Sequence, residues 1–258
     1  MRFKDKVCIV TGAAQGIGKA TAKRLASEGA TVIVADRVEP VASRVVQAIE
    51  TEGGRARTVI SDLETLEGAN ALVEHTLETF GRIDVAVHNV GGTIWAKPFS
   101  SYAPDEIKQE IQRSLWPTLW CCHAVLKPMI AQKSGVIVNV GSVATRGINR
   151  VPYSAAKGGV EAITTCLALE NAEHNIRVNC ISPGGVDVGE REIPRNPNPP
   201  SAEDERHWQE VIDQTIKDTP MARYGSPDEL AAAIAFVASD EASYITGETI
   251  PVAGGYKP

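Results

Sequence analysis

Short apolar runs alternate with longer segments of helical spacing along most of the chain. The runs are rich in β-branched residues and do not alternate apolar with polar positions, which is typical of strands covered on both faces. Regular alternation of strand and helix predicts a parallel sheet joined by right-handed crossovers. The predicted strands are VCIV (7–10), TVIVA (31–35), RTVI (57–60), DVAVHN (84–89), GVIVNV (135–140) and IRVNCI (176–181), with helices such as 18–29 and 66–81 between them. We therefore predict an α/β fold, and the length suits either one large domain over residues 1–258 or two small ones.

Composition excludes several classes of protein. The 258 residues carry a net charge of −6 with a pI near 5.5, and the sequence has no basic stripe, which argues against nucleic-acid binding. No apolar run approaches the roughly 18 residues that a membrane span requires. The first residues do not form a signal-peptide pattern, so we expect a cytoplasmic protein without membrane contact.

The cysteines are interpreted as buried, reduced thiols rather than as a disulfide framework or a zinc site. Their number is odd, each lies in an apolar segment, and none forms a CxxC pair. They are Cys8, Cys121, Cys122, Cys166 and Cys180. We expect no metal.

The first predicted strand runs into TGAAQGIGKATA, a glycine-rich turn followed by a helix. Gly12, Gly16 and Gly18 would permit a tight turn and a close approach of pyrophosphate to free N–H groups at the helix N-terminus. Asp36 lies 18 residues past Gly18, where a carboxylate accepts hydrogen bonds from the adenosine ribose and repels a 2′-phosphate. NAD is therefore favoured over NADP, although the adjacent Arg37 is a residue type that can accept that phosphate.

A proline-rich, charged segment breaks the regular pattern. GEREIPRNPNPPSAEDERHW (189–208) reads either as a surface loop or as a mobile lid, because long loops in compact domains are usually functional or disordered. A charged helix over 203–218 would form one wall of this lid, and we place the lid segment at 187–218. The regular pattern resumes with a helix over 226–240, for which Ser226 is a suitable N-cap.

Tyr153 and Lys157 are four residues apart and therefore share one face of a helix. Ser142 follows a predicted strand and can lie opposite them. A free tyrosine is a poor base at neutral pH, because its unperturbed pKa is near 10, but a neighbouring ammonium and an oxidised nicotinamide ring both favour the phenolate. The hypothesis is that Tyr153 takes a substrate hydroxyl proton, Ser142 orients that oxygen, and Lys157 holds the ribose and tunes Tyr153.

TGAAQGIG, HNVGG and YSAAK, in this order and spacing, resemble the classical short-chain dehydrogenase/reductase family over essentially the whole chain. The resemblance implies a single Rossmann-type, doubly wound domain with about seven parallel strands and helices on both faces. It implies NAD-dependent oxidoreductase activity. It also implies a homotetramer or homodimer built on the helices that start near residues 105 and 153.

The resemblance assigns roles by position. Asp62 would touch the adenine, Asn89 would support the cofactor turn, and Pro183-Gly184 would pass beside the nicotinamide. Ser114 replaces the family's usual asparagine, which anchors a relay water, and Val188 replaces a frequent threonine, so main-chain contacts around Val186 would compensate. The implied cofactor-binding residues are Gly12, Gln15, Gly16, Ile17, Gly18, Asp36, Asp62, Leu63, Asn89, Tyr153, Lys157, Pro183, Gly184 and Val186.

The loop HNVGGTIWAKPF follows the fourth strand, at the edge where open α/β sheets bind ligands. Trp95 and Lys97 are therefore candidates to line the substrate pocket, together with Arg146, Asn149 and Arg150 beside Tyr153. Arg191 and Arg195 fall in the lid segment. Cations gathered around the site of an acidic protein suggest a carboxylate substrate, which arginine can hold bidentately, and Trp95 suggests a flat or cyclic body.

HNVGGTIWAKPF, RSLWPTLWCCHA and VATRGINRVPYSAAKGG resemble more narrowly the cis-dihydrodiol carboxylate dehydrogenases of aromatic-acid degradation. The implied reaction oxidises an anionic cyclic diol to a β-keto acid, which loses CO₂ to give a catechol. The alternatives are a p-cumate-type dihydrodiol dehydrogenase, which keeps its carboxylate, a general short-chain alcohol dehydrogenase or 3-keto reductase, and a nucleotide-binding protein without activity. Intact Ser142, Tyr153 and Lys157 argue against the last.

Overall fold

The computed structural model describes residues 1–256, which form one seven-stranded parallel sheet and eight α-helices. The strands are β1 Val7–Thr11, β2 Thr31–Asp36, β3 Arg55–Ile60, β4 Val85–His88, β5 Gly135–Val140, β6 Ile176–Pro183 and β7 Thr249–Val252. The helices are α1 Gly16–Ser27, α2 Glu39–Thr51, α3 Leu66–Phe80, α4 Pro104–Ser114, α5 Trp116–Gln132, α6 Val151–Asn171, α7 Ala202–Asp218 and α8 Pro227–Ala238.

The strand order is β3-β2-β1-β4-β5-β6-β7. The chain moves outward from β1 to β3, then returns to place β4 on the other side of β1, with Cys8 paired to Val32 on one side and to Val85 on the other. This reversal between β1 and β4 is a topological switch point, where loops at the strand carboxyl ends separate and leave a crevice. The predicted doubly wound fold is confirmed.

Helices cover both faces of the sheet, which explains the unbroken apolar character of the strands. Along β1, Val10 packs in a core with Leu25 of α1 and Ile234 of α8, whereas its neighbour Ile9 packs in a second core with Met129 of α5. Side chains alternate in direction along a strand, so two faces of apolar partners require apolar residues throughout. Each such side chain stabilises the fold by roughly 1.5–3 kcal/mol through burial.

Helix ends follow the local chemistry. The Ser226 hydroxyl accepts the N–H of Glu229, as expected for the predicted N-cap, and the Glu229 carboxylate in turn accepts the N–H of Ser226. The helix predicted to continue to residue 240 ends at Ala238 and passes into a short 3₁₀ turn. The helix predicted from residue 18 begins at Gly16, because the second glycine of the turn is already its first residue.

One cysteine prediction is wrong. Cys166 is exposed on α6, whereas the other four thiols are buried. Its segment is apolar on only one helical face, and Cys166 lies on the other, a distinction that a count of neighbouring apolar residues misses. Among residues 1–256, no helix has the length and apolar character needed to cross a membrane.

Candidate active site

Ser142, Tyr153 and Lys157 line one cavity of about 390 Å³ at the carboxyl ends of the central strands. β5 ends at Val140, the chain turns through Ser142, and α6 begins at Val151 with Pro152 in its first turn. Tyr153 therefore lies in the first turn of α6 and Lys157 one turn later, on the same face. Fold geometry brings the three side chains together although the sequence separates them by up to 15 residues.

Lys157 is held rigidly beside Tyr153. Its side chain is 3% exposed, its Nζ donates to the carbonyl of Val140 at 2.7 Å, and the same Nζ lies 6.0 Å from the Tyr153 ring centroid. An ammonium has three donors, so two remain for other partners. The amine is therefore fixed beside the phenol of Tyr153.

The two serines are placed differently. Ser142 lines the cavity, and its Oγ accepts the N–H of Ala144 at 3.1 Å, which leaves its own O–H free to donate. Ser114 is completely buried behind the cavity wall, where its Oγ accepts the N–H of Gly92 at 3.2 Å. A Cβ on Gly91 would lie 3.1 Å from Lys157 Nζ and 3.4 Å from Ser114 Cα, so this glycine lets the serine and the ammonium approach.

A second cavity adjoins the first and follows the glycine turn. It is lined by several residues predicted to bind the cofactor: Gly12, Gln15, Gly16, Ile17, Asp36, Asp62, Leu63 and Asn89. Pro183, Gly184 and Val186 line the catalytic cavity instead. Of the predicted set, Gly18 lines neither: a Cβ there would lie 2.2 Å from the carbonyl oxygen of Gly12, so its role is close packing of helix on strand.

The second cavity fits a dinucleotide. Gln15 precedes α1 without capping it, because its side chain is bonded elsewhere, so the first N–H groups of the helix stay free for a phosphate. Asp36 accepts hydrogen bonds from the N–H groups of Ala14, Arg37 and Val38, which fixes its carboxylate at the far wall. The Asn89 amide donates to the carbonyls of Thr11 and Gly12 and holds the turn to β4.

Lys97 lies outside these cavities. Its Nζ forms a 2.6 Å ion pair with Glu106 and lies over the rings of Trp95 and Tyr102. The Lys97 charge is thus neutralised within its own loop. Trp95 lines an adjoining cavity of about 520 Å³ rather than the catalytic one.

Two further substrate candidates are not brought to the catalytic cavity. Arg146 is exposed, and Asn149 donates its side-chain amide to Glu210 of α7 at 2.8 Å. Asn149 has a φ of +58°, which turns its side chain toward α7 and lets Arg150 lie beside Tyr153. Of the predicted substrate residues, Arg150 alone lines the catalytic cavity.

The lid segment covers the cleft. The Gln15 side chain donates to the carbonyl of Ile193 at 2.9 Å and accepts its N–H at 3.2 Å, and Val188 packs against Gly16. α7 supplies Trp208 to the walls of both the catalytic and the adjoining cavity. Trp208 was not predicted from the sequence. The signal that could have revealed it is a large apolar residue in a charged helix, at the position that faces the core.

The cleft is unusual in its arginines. Ten of the fifteen arginines make a side-chain hydrogen bond or ion pair within residues 1–256, and two of the others, Arg57 and Arg146, are exposed. Among the described residues, the remaining three have no hydrogen-bonding or ionic partner for their guanidinium groups. They are Arg150, Arg191 and Arg195, and all three line the catalytic cavity.

Burial and mutual repulsion act on these arginines. Burial lowers the pKa of Arg191 to about 10, with Arg195 adding repulsion, so the group stays protonated at neutral pH. The pKa values of Arg150 and Arg195 are lowered by burial as well, while the phenol of Tyr153 opposes this effect on both. Three cations thus surround a cavity without a matching anion, which is an unfavourable arrangement that a bound anion relieves.

Comparison with known proteins gives the family. A family model described as enoyl-(acyl carrier protein) reductase matches residues 12–257. The chain is 53% identical to 1,6-dihydroxycyclohexa-2,4-diene-1-carboxylate dehydrogenase of Acinetobacter baylyi, covering 98% of this chain and 97% of that protein. It is 52% identical to the protein of the same name from Pseudomonas putida, covering 98% and 93%.

Among solved structures, NAD⁺-bound xylitol dehydrogenase superposes with a TM-score of 0.87 at 31% identity, covering 99% of this chain and all of that one. The fold, the cleft and these relatives define an oxidoreductase that uses a nicotinamide cofactor. The chain belongs to the short-chain dehydrogenase/reductase family, as its glycine turn and YSAAK segment predicted.

Proposed function

We propose that this enzyme uses NAD to oxidise a cis-dihydrodiol carboxylate of the 1,6-dihydroxycyclohexa-2,4-diene-1-carboxylate type, and that the product loses CO₂ to become a catechol. The observation that carries this proposal is the set of unpaired arginines around the catalytic cavity, which matches a substrate carboxylate. The names of the two relatives at 52–53% identity support the same substrate class.

The proposed chemistry needs few groups. The Tyr153 phenolate accepts the proton of the hydroxyl on the ring carbon that bears hydrogen, Ser142 donates a hydrogen bond to the same oxygen, and Lys157 keeps the phenol ionised. A bound nicotinamide supplies the hydride acceptor. Ser114, with its O–H free to donate, is proposed to hold a water that carries the released proton away from Lys157 toward solvent.

Loss of CO₂ follows from the product. Oxidation leaves a ketone next to the carbon that carries the carboxylate, so the electrons of the breaking C–C bond pass into the carbonyl and form an enolate. Protonation of that enolate gives an aromatic diol. Aromatisation makes the overall oxidation effectively irreversible, so the protein's tasks are deprotonation, orientation and recognition of the acid.

NAD is proposed over NADP because of the charge at the end of β2. The carboxylate of Asp36 is fixed by three N–H groups at the cavity wall, where it would repel a 2′-phosphate. The neighbouring Arg37 lies 3.8 Å from Glu64, which partly neutralises the cation that could otherwise attract that phosphate.

Arg150 is proposed to contact the substrate in the catalytic cavity, and Trp95 borders the adjoining cavity. No substrate contact is proposed for Lys97, Arg146 or Asn149, which do not line the catalytic cavity. Association into a homodimer or homotetramer through α4 and α6 is proposed by analogy with the family, and light scattering tests it.

The proposed function is tested by following absorbance at 340 nm with NAD and NADP in parallel. The substrates are the benzoate-derived dihydrodiol acid, the p-cumate-derived acid and the uncharged benzene cis-dihydrodiol. We expect the highest kcat/KM for the benzoate-derived acid with NAD. Equal kcat/KM for the acid and the uncharged diol would refute the proposal, and so would a preference for NADP.

A further inference from the structure

We infer that Arg195 is the residue that recognises the substrate carboxylate, so that the lid segment itself carries the charge selection. This inference rests on the proposed function and assigns a task within it. Arg150, which the sequence places beside Tyr153, would then shape the cavity without setting its preference for acids.

The position of Arg195 is the first argument. Together with Arg191, it lines the catalytic cavity, the cofactor cavity and the adjoining cavity that Trp95 borders, so both arginines lie where the three meet. Arg195 is also close enough to Tyr153 to interact with it electrostatically, so a substrate whose reacting carbon faces Tyr153 and the cofactor lies beside this junction. Its carboxylate, on the neighbouring ring carbon, is then within the region that Arg195 occupies.

The packing of the Arg195 guanidinium against the main chain is the second argument. The guanidinium packs directly on Gly92, whose φ is +143°: a Cβ there would lie 2.4 Å from Nε and 2.7 Å from Cζ. The N–H of Gly92 is tied to Ser114, and the next loop residues are tied to Glu110, which accepts the N–H groups of Ile94 and Trp95 at 2.8 and 2.9 Å. These hydrogen bonds fix the main chain at Gly92 so that the planar guanidinium can pack directly against it. A side chain at residue 92 would prevent this packing.

The charges around Arg195 are the third argument. Tyr153 and Glu110 attract it, while Arg113, Arg150 and Arg191 are the cations that interact with it. Glu110 is completely buried, and its Oε2 atom has no hydrogen-bond partner among the described residues. Oε1 of Glu110 accepts both loop N–H groups, and Arg195 forms no hydrogen bond or ion pair with Glu110 among the described residues. The planar donor face of Arg195 therefore stays available for a ligand, and arginine pairs bidentately with carboxylates.

The other two cleft arginines fit different tasks. Arg150 packs against Gly147, and its Nε is sealed from the cavity without a partner, so less of its donor face is available. Arg191 lies between Val188, which packs on Gly16, and Ile193, which is bonded to Gln15. Arg191 shares the junction of the three cavities, but its neighbours in the chain are anchored at the glycine turn, whereas the guanidinium of Arg195 packs on Gly92 in the loop after β4.

The test compares Arg195→Gln and Arg195→Lys with wild type on the benzoate-derived dihydrodiol acid and on the uncharged benzene cis-dihydrodiol. We expect Arg195→Gln to lower kcat/KM for the acid by about 100-fold, as for loss of a charge-assisted bidentate pair, and for the diol by less than about threefold. Arg195→Lys should fall between the two. Guanidinium ion, added to Arg195→Ala at a concentration too low to denature the protein, should restore turnover of the acid and leave turnover of the uncharged diol unchanged.

The matched control is Arg206→Gln, which removes an exposed lid cation that pairs with Glu203 on α7. It should leave the preference for the acid unchanged. An equal loss on both substrates in Arg195→Gln, or a loss explained by weaker NADH binding, would overturn the assignment while the proposed function stands. A wild-type enzyme that does not oxidise the acid would remove both the function and the assignment.

Discussion

The cofactor side and the substrate side of the cleft differ in how their polar side chains are occupied. On the cofactor side, Asp36 and Asn89 are already bonded to main-chain groups of β1, β2 and the glycine turn. On the substrate side, Arg150, Arg191 and Arg195 have no such partners within the described residues. A preorganised wall suits a ligand common to many enzymes, whereas unpaired cations select one kind of ligand by charge.

The difference teaches where specificity resides in this fold. Strand ends and the α1 N-terminus form the cofactor side and are fixed by the hydrophobic core. The substrate side draws on the lid segment, the loop after β4 and the start of α6, which meet only at the cleft. Substitutions on the two sides should therefore change different kinetic quantities.

Tyr153→Phe should have the largest effect, because Tyr153 belongs to the reaction rather than to either wall. Removal of the phenol oxygen takes away the general base, and we expect kcat to fall by about 10³-fold or more. NADH binding, measured by fluorescence titration, should change by less than about twofold, since the ring itself remains. Residual kcat above about a tenth of wild type would mean that another group accepts the proton.

Gly18→Ala should damage the cofactor side through packing alone. Its Cβ would meet the Gly12 carbonyl oxygen at 2.2 Å, so the turn or α1 must shift. We expect a loss of stability of about 1–3 kcal/mol and at least tenfold weaker NADH binding. The matched control is Gly158→Ala on α6, where the nearest atom would be 4.0 Å away and a gain of about 0.5–1 kcal/mol is expected. Equal urea midpoints for the two variants would contradict this explanation.

Glu110→Gln should reveal a pH-dependent stability on the substrate side. Burial raises the pKa of Glu110 to about 7, although the N–H groups of Trp95 and Ile94 and the charges of Arg195 and Arg113 oppose the rise. Because the pKa is higher in the folded protein than in the unfolded chain, this stability is fully present below about pH 4.5 and is lost as pH rises through 7. Urea unfolding from pH 5 to 8 should show wild type losing about 2–3 kcal/mol relative to Glu110→Gln. Parallel curves for the two proteins would show that Glu110 does not titrate in this range.

Lys97→Met should have the smallest effect on activity, and it tests whether the substrate side of the cleft extends to the loop that contains Lys97. Lys97 is paired with Glu106 and does not line the catalytic cavity, so kcat/KM for the acid should change by less than about twofold. Loss of the half-buried ion pair should lower stability by about 1 kcal/mol. A tenfold rise in KM for the acid, without a rise for the uncharged diol, would extend the anion-binding region to this loop.

The sequence was sufficient for much of the fold and for the catalytic group. The apolar runs located six of the seven strands, all but β7. The spacing of Tyr153 and Lys157 placed them on one helical face, because helical geometry depends only on neighbours along the chain. Long-range contacts were not readable in the same way. Arg195 reaches Gly92 across 103 residues through a loop without regular structure, and no local pattern records that approach.

Long-range packing also decides where the predicted substrate residues lie. Lys97 and Arg146 are cations near the cleft in sequence, but neither lines the catalytic cavity, and a charge contributes to a site only when it is unpaired and faces it. The Lys97–Glu106 pair joins a loop to α4, and only the packing of α4 against that loop decides it. Trp208 was not predicted because it is far from the other site residues in sequence. The path of the lid segment across the cleft brings α7, and Trp208 with it, to the cavity wall.

The central claim is that hydroxyl oxidation leads to loss of the substrate carboxylate. The most direct measurement incubates the enzyme with NAD and the benzoate-derived dihydrodiol acid, then quantifies NADH, catechol and CO₂ in the same sample. The account predicts equal amounts of all three and no lasting carboxylated product. NADH formed with a lasting keto acid that retains its carboxylate, or without CO₂, would contradict it.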